Sequence, residues 1–204
     1  MKTRIFLAGL VTAFIIAACS ENKRNASEVP AGDTVKTTLD PAPKTNKFNL
    51  ENVPVSDKEL GSFPYIVLPQ GYANVSQNPI SDMDKAYFWS GDHFEQPEGK
   101  VFFSRVKAEE GKVFSESELL KGLGESIASL GGVKISEGKI PADIADGIDE
   151  GNKVKYVSGY GFIGYAVTTT YLIRRSDRNI WIQMTPTDDG ASIGWMILET
   201  KPQN

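Results

Sequence analysis

The chain contains one cysteine, Cys19, and one histidine, His93, in 204 residues. A lone cysteine excludes an internal disulfide, and a lone cysteine with a lone histidine excludes the thiolate and imidazole sets that hold structural zinc. The carboxylates show no calcium-loop spacing, and "TDDG" reads as a hairpin turn rather than as part of a metal site. Long apolar runs are also scarce. Only Ile5 to Ile16 qualifies, and it falls short of the roughly 18 to 20 residues that a membrane-crossing helix needs. An excess of basic charge is missing too: 22 Lys and Arg face 26 Asp and Glu, for a formal charge of −4. Without a basic patch to release phosphate counterions, nucleic-acid binding is disfavoured, and so is docking on anionic lipid through a basic face. No internal repeat and no G-x-S-x-G nucleophile elbow is found.

What the N-terminus does hold is an export signal over residues 1–18: Lys2 and Arg4, the apolar run, then small Ala17 and Ala18. Ile16-Ala17-Ala18-Cys19 resembles the bacterial lipobox. In proteins that carry it, the thiol is alkylated by a diacylglyceryl group, the signal is cut before the cysteine, and the new amine is acylated with a fatty acid such as palmitate. The resemblance therefore implies that Cys19 is the lipidation site and the membrane a partner through that lipid. Ser20 stands where an aspartate would resemble an inner-membrane retention signal, which implies the outer membrane and its periplasmic face. The competing reading is an ordinary signal peptide that leaves a free thiol, a liability in an oxidising compartment. Several acyl chains, at about 0.8 kcal/mol per buried methylene, would make the anchoring nearly permanent.

Loss of the signal removes two basic residues and no acid, taking the formal charge from −4 to −6. Residues 19–47 then read as a flexible periplasmic tether, rich in Pro, Thr, Asn and charge and without apolar periodicity. At roughly 5–6 Å × √n it would set the folded part about 30 Å from the bilayer. The other possibility is that it wraps onto the domain as ordered coil. Residues 48–204 suffice for a single α+β domain: an antiparallel sheet of several strands with one main helix packed on a face.

Within that domain, "VPVSDKELGSFPYIVLPQGY" should be extended and packed, with Phe63, Tyr65, Val67 and Leu68 set between prolines. "KAYFWSG" and "GKVFFSRVKAEE" read as the two arms of an antiparallel hairpin around "GDHFEQPEG". One helix is clear. Ser115 and Glu118 match a capping box, Leu119, Leu123, Ile127 and Leu130 repeat along one face, and Gly131-Gly132 supplies a left-handed stop. Gly122 and Gly124 inside it point to close packing against a sheet. Beyond, the chain reads as strand almost to its end, apart from "PADIADGI", a single helical turn opened by Pro141. "NKVKYVSG", "YAVTTTYLIRR", "NIWIQMT" and "ASIGWMILE" are the strands, with "SDRN" and "TDDG" as tight turns between the last three.

The chemical candidates are few. Gly159, Gly161 and Gly164 spell G-x-G-x-x-G, but the motif runs into a strand where a dinucleotide site needs a helix. It marks either a bend between strands or a loop that displays Tyr160, Phe162 and Tyr165. His93 has Asp92, Glu95 and Ser90 near it in sequence; it reads as a surface-loop residue, with a hydrolase built on it the minor alternative. Arg174, Arg175 and Arg178 flank a turn with Asp177, either as a charged hairpin tip or as a small anion site. Phe88, Trp89, Phe102, Phe103, Trp181 and Trp195 read as core. No cofactor is called for.

The order "VPVSDKELGSFPYIVLPQGY", "PEGKVFFSRV", "SLGGVKISEGKIP", "TYLIRRSDRNIWIQM" resembles the N-terminal extension of some OmpA-like outer-membrane lipoproteins of Gram-negative bacteria, from about Leu50 onward. In those proteins a peptidoglycan-binding domain follows the extension; here the sequence ends at "ETKPQN", so peptidoglycan anchoring does not carry over. The expectation is a non-enzymatic outer-membrane lipoprotein that binds a periplasmic protein or envelope component. Its candidate surface comprises His93 and Phe94 on one loop and Tyr156, Tyr160, Phe162 and Tyr165 on another. The alternative class is an immunity lipoprotein that captures a toxic effector such as a secreted lipase.

Overall fold

A computed structural model describes residues 47–75, 81–148 and 166–200. Nine strands and two helices follow in chain order among these: β1 Tyr72–Asn74, β2 Ser81–Lys85, β3 Phe88–Trp89, β4 Phe94–Glu95, β5 Glu98–Ala108, α1 Glu116–Ser129, β6 Val133–Lys139, α2 Ala142–Ala145, β7 Val167–Arg174, β8 Asn179–Pro186 and β9 Ile193–Thr200. Seven of the strands form one antiparallel sheet in the order β1-β5-β9-β8-β7-β6, with β2 sharing the outer edge of β5 beside β1. The fold is largely β, with one main helix packed on a sheet face, in keeping with the α+β expectation.

Side chains alternate across the pleat, so each central strand feeds two cores. On one side Phe102, Val106, Ile173, Ile180, Ile182, Met184, Trp195 and Ile197 meet Leu119, Leu123 and Ile127 of α1. All three helical residues are fully buried, each stabilising by about 1.5–3 kcal/mol relative to exposure. Ser115 Oγ accepts from the Glu118 N–H at 3.4 Å. The return arm of a capping box is absent: Glu118 pairs with Lys112 instead, at 2.7 Å, and the Ser115 N–H donates to Tyr72 Oη at 3.3 Å. The stop is a Schellman turn. Gly131, at φ +80°, donates to the Ala128 carbonyl at 2.9 Å, and Gly132 donates to that of Ile127 at 3.0 Å. The two helical glycines are explained by contact. A Cβ on Gly122 would lie 2.5 Å from Pro69 Cγ, and one on Gly124 would lie 3.0 Å from Tyr171 Oη on β7.

The opposite face is built differently. Val101, Phe103, Leu172, Trp181, Met196 and Leu198 are covered by Val53, Ala86 and Phe88, with Phe48 and Leu50 beside them. Further along the same face of β7 and β8 the row turns polar: Thr168, Thr170, Gln183 and Thr185 are all buried. Thr168 and Thr185 hydroxyls bond each other at 3.1 Å, and Thr170 Oγ1 donates to Gln183 Oε1 at 3.3 Å.

Two expectations change here. The hairpin arm "KAYFWSG" does not pair with β5 throughout: β2 does, as far as Lys85↔Glu98, and the chain then leaves the sheet so that β3 pairs with β4. Phe88 and Trp89 are neighbours and both buried, which a strand with one wet face cannot provide; they enter two different clusters. Val67, expected to be packed, is 75% exposed, while Phe63, Tyr65 and Leu68 around it pack on the helix side. The six aromatics read as core are all buried. "NKVKYVSG" and the G-x-G-x-x-G segment lie outside the described residues.

Candidate functional site

The β3–β4 hairpin grows out of the second face. Its backbone is pinned to the sheet: Trp89 N–H donates to Gln183 Oε1 at 2.8 Å, and Ser136 Oγ donates to the Trp89 carbonyl at 2.6 Å. Phe94 stands edge-on between Trp89 and Tyr87, with ring centroids 5.3 and 5.7 Å away. The connecting turn needs Gly91 at φ +112°, a conformation that suits only glycine. Ser90 closes the turn, its N–H donating to the His93 carbonyl at 2.9 Å and its hydroxyl to the same oxygen at 2.7 Å.

This brings together the residues that the sequence groups around His93. Nδ1 is 2.6 Å from Asp92 Oδ1 and Nε2 is 2.9 Å from Glu95 Oε1. The hydrogen bond to Asp92 chiefly, with that to Glu95, raises the imidazole pKa above its usual 6.5 against the opposing effect of burial. The bond from His93 in turn holds the Asp92 carboxyl below its usual 3.8. A nucleophile relay needs the serine on one ring nitrogen and the acid on the other. Here Ser90 Oγ, at 3.1 Å, shares the Nδ1 side with Asp92, and Nε2 faces Glu95. The arrangement stabilises an imidazolium and offers no free ring lone pair to a hydroxyl.

Glu95 also belongs to a second feature. Together with Lys47, Phe48, Asn49, Leu50, Asn52 and Trp181 it lines an open cleft of about 600 Å³. One wall is a strap, residues 48–56, whose course follows from local chemistry. Asn49 Oδ1 caps a 3₁₀ turn, Leu50–Asn52, by accepting from the Glu51 N–H at 2.9 Å. Arg174 Nη1 donates to the carbonyls of Leu50, Glu51 and Val53 at 3.3, 3.0 and 3.2 Å. Ser56 N–H then joins the Arg174 carbonyl at 2.7 Å. At the base of the cleft, Trp181 is 5% exposed and flanked by Phe48 and Phe88, with centroids 5.8 and 5.6 Å away. Its Nε1 is buried and has no hydrogen-bond partner among the described residues. The contrast is Trp195 on the helix face, whose Nε1 donates to Asn74 Oδ1 at 2.9 Å.

The arginines have internal partners. Arg174 holds the strap, and Arg175 donates to the Lys58 carbonyl and sits 3.7 Å from Asp177. Arg178 pairs with Asp177 at 2.6 Å and Glu199 at 3.2 Å, and reaches Tyr65 Oη, which itself donates to Glu199. These contacts raise the Arg178 pKa further. Each guanidinium thus faces a carboxylate or a carbonyl. Among the described residues no three potential ligands converge as a metal site, and no helix is long and apolar enough to cross a membrane.

His93 and Phe94 are therefore placed, the first 45% exposed at its side chain and the second half-buried. Tyr156, Tyr160, Phe162, Tyr165 and Cys19 lie outside the described residues. Sequence reasoning missed the cleft, because Trp181 reads as core and only the fold carries "KFNLEN" across it. No protein-family model and no curated protein matches this chain.

Proposed function

We propose that this protein is a lipid-anchored, non-enzymatic binding module, an α+β domain tethered to the periplasmic face of the outer membrane that engages a protein or envelope component. The lipobox resemblance ending at Cys19, with Ser20 behind it, supports the anchor. The observation that carries the binding reading is the His93 turn: the sole histidine has a carboxylate against each ring nitrogen, which favours its charged form. A general base needs a free nitrogen near its proton.

The test has two arms. Metabolic labelling with palmitate should mark the protein, and Cys19→Ser should abolish the label. Crosslinked pull-down of the lipidated protein should then recover resident envelope components whether or not competitor cells are present. Recovery of one secreted hydrolase at near-equal amounts, only with competitors, would replace this reading by the immunity one. Loss of a hydrolytic activity in His93→Ala would overturn the non-enzymatic reading.

A further inference from the structure

We infer that a cavity beside the β7–β8 turn binds a small zwitterion, a molecule that carries an ammonium and a carboxylate together as a free α-amino acid does. This goes beyond the binding-module reading, since it assigns a small-molecule site apart from the Trp181 cleft.

The cavity, of about 330 Å³, is lined by Glu59, Leu60, Gly61, Tyr65, Arg175 and Arg178. That volume is near the lower bound of small-ligand sites, roughly 300–1,000 Å³, which suits a small occupant. The charged groups of the wall differ in how far they are already spent. Arg178 is spent: Nε and Nη2 donate to Asp177 at 2.8 and 2.6 Å, and Nη1 reaches Glu199 at 3.2 Å and Tyr65 Oη at 3.5 Å. Arg175 is not. Its Nη1 donates to the Lys58 carbonyl, its Nε stands 3.7 Å from Asp177 Oδ1, beyond hydrogen-bond reach, and its Nη2 has no partner among the described residues. The buried, unpartnered side-chain nitrogens among those residues belong to Arg105 and Trp181, so both of these Arg175 atoms reach solvent. They form one edge of a planar fork that suits a carboxylate in two parallel bonds.

Glu59 is exposed, and its carboxylate has no hydrogen bond or ion pair among the described residues. The bond from Arg175 to Lys58 sets the guanidinium against the backbone that carries Glu59. Tyr65 supplies the wall beside Arg178. It adopts φ +70°, a region sparsely populated by aromatic residues, and its hydroxyl donates to Glu199. Residues held in such conformations gather at binding sites, where surrounding contacts fix them.

The unspent groups of the wall are thus one cationic edge and one carboxylate. A simple anion would leave Glu59 unpaired and meet its repulsion, and a simple cation would do the same with Arg175. A zwitterion answers both, with its carboxylate on Arg175 and its ammonium on Glu59. Leu60 offers apolar surface to the rest of the ligand, and the space at Gly61 is open: a Cβ there would meet nothing within 4 Å.

The experiment follows the backbone amide signals of Leu60 and Gly61 and the Nε–H signal of Arg175 in the purified full-length protein during titration with L-leucine. All should move saturably, with a Kd on the order of 1 mM. Isocaproate, which lacks the ammonium, and L-leucinamide, which lacks the carboxylate, should each bind at least about tenfold more weakly, since each loses one charged hydrogen-bonding group. Glu59→Gln, at an exposed position, should weaken leucine binding by about tenfold, and Arg175→Lys, which keeps the charge and loses the fork, by about the same factor. Silent signals would overturn the assignment. So would isocaproate or leucinamide binding as tightly as leucine, which would make the cavity a site for one charge only, or a Glu59→Gln titration identical to that of the parent protein. None of these outcomes touches the crosslinked partner, so this inference and the binding-module reading fail separately.

Discussion

The two faces of the sheet are made from the same strands and finished in opposite ways. Under α1 the contacts are aliphatic and aromatic, and the one indole at its centre, Trp195, has its donor satisfied. On the other face a strap and a two-residue-stranded hairpin cover the apolar end, the row continues into threonines and Gln183, and Trp181 keeps an unsatisfied donor at the base of a cleft. The difference shows which face closes on its own groups and which leaves an indole donor without a partner among the described residues. A face that only holds the fold can satisfy every group internally, and we propose that the second face is the one that meets a partner.

The largest test of that contrast is Leu123→Ala. Leu123 is fully buried beneath the helix, and its truncation should cost about 3 kcal/mol in urea unfolding. A cost near zero would mean that α1 is not a structural layer. Next is Arg174→Ala, which removes the donor to three strap carbonyls and should cost about 2 kcal/mol, since hydrogen bonds to charged groups are the stronger kind. Hydrogen exchange should report loss of protection at the amides of Val53 and Ser56, with that of α1 retained. Smaller, and sharper, is the pair of tryptophans. Trp195→Phe strands Asn74 Oδ1, whereas Trp181→Phe removes a donor that already lacks a partner; the first should be the more destabilising by about 1 kcal/mol. Equal effects would remove the asymmetry on which the comparison rests.

How much of this could be read in advance divides along the same line. The helix face was legible because Leu119, Leu123 and Ile127 repeat at helical spacing and Gly131 stops the run, signals that depend only on neighbours in the chain. β7, β8 and β9 were legible for the same reason, being β-branched and aromatic stretches cut by short turns. The second face was not. That Phe88 and Trp89 leave β5 to form their own hairpin is decided by two distant clusters competing for adjacent side chains. Even the capping box was half legible: Ser115 caps as expected, but the reciprocal role of Glu118 is taken over by Tyr72 from β1. His93 was correctly grouped with Ser90, Asp92 and Glu95, yet which ring nitrogen faces which oxygen depends on the turn geometry that Gly91 permits. The cleft had no local signal, since its wall and its base are joined only by the fold.

The smallest expected effect concerns pH. His93 is raised above 6.5, so its stabilising contribution is whole below 6.5 and is lost as pH climbs through the folded-state value. Asp92 is lowered below 3.8, so its contribution is present above 3.8 and is lost as pH falls through its folded-state value. The turn should be firmest between those limits. The single histidine gives one ring signal, whose titration midpoint should lie above 6.5 and should fall in Glu95→Gln. A midpoint at or below 6.5 would contradict the doubly bonded imidazolium.

The central claim is that the face opposite α1 is the one that meets a partner. Its most direct measurement places a photoreactive amino acid at Asn52, on the cleft rim, or at Lys121, on the outer surface of α1, and compares the adducts formed in living cells. The account predicts a discrete envelope adduct from position 52 and none from position 121. An adduct from position 121 with none from position 52 would contradict it.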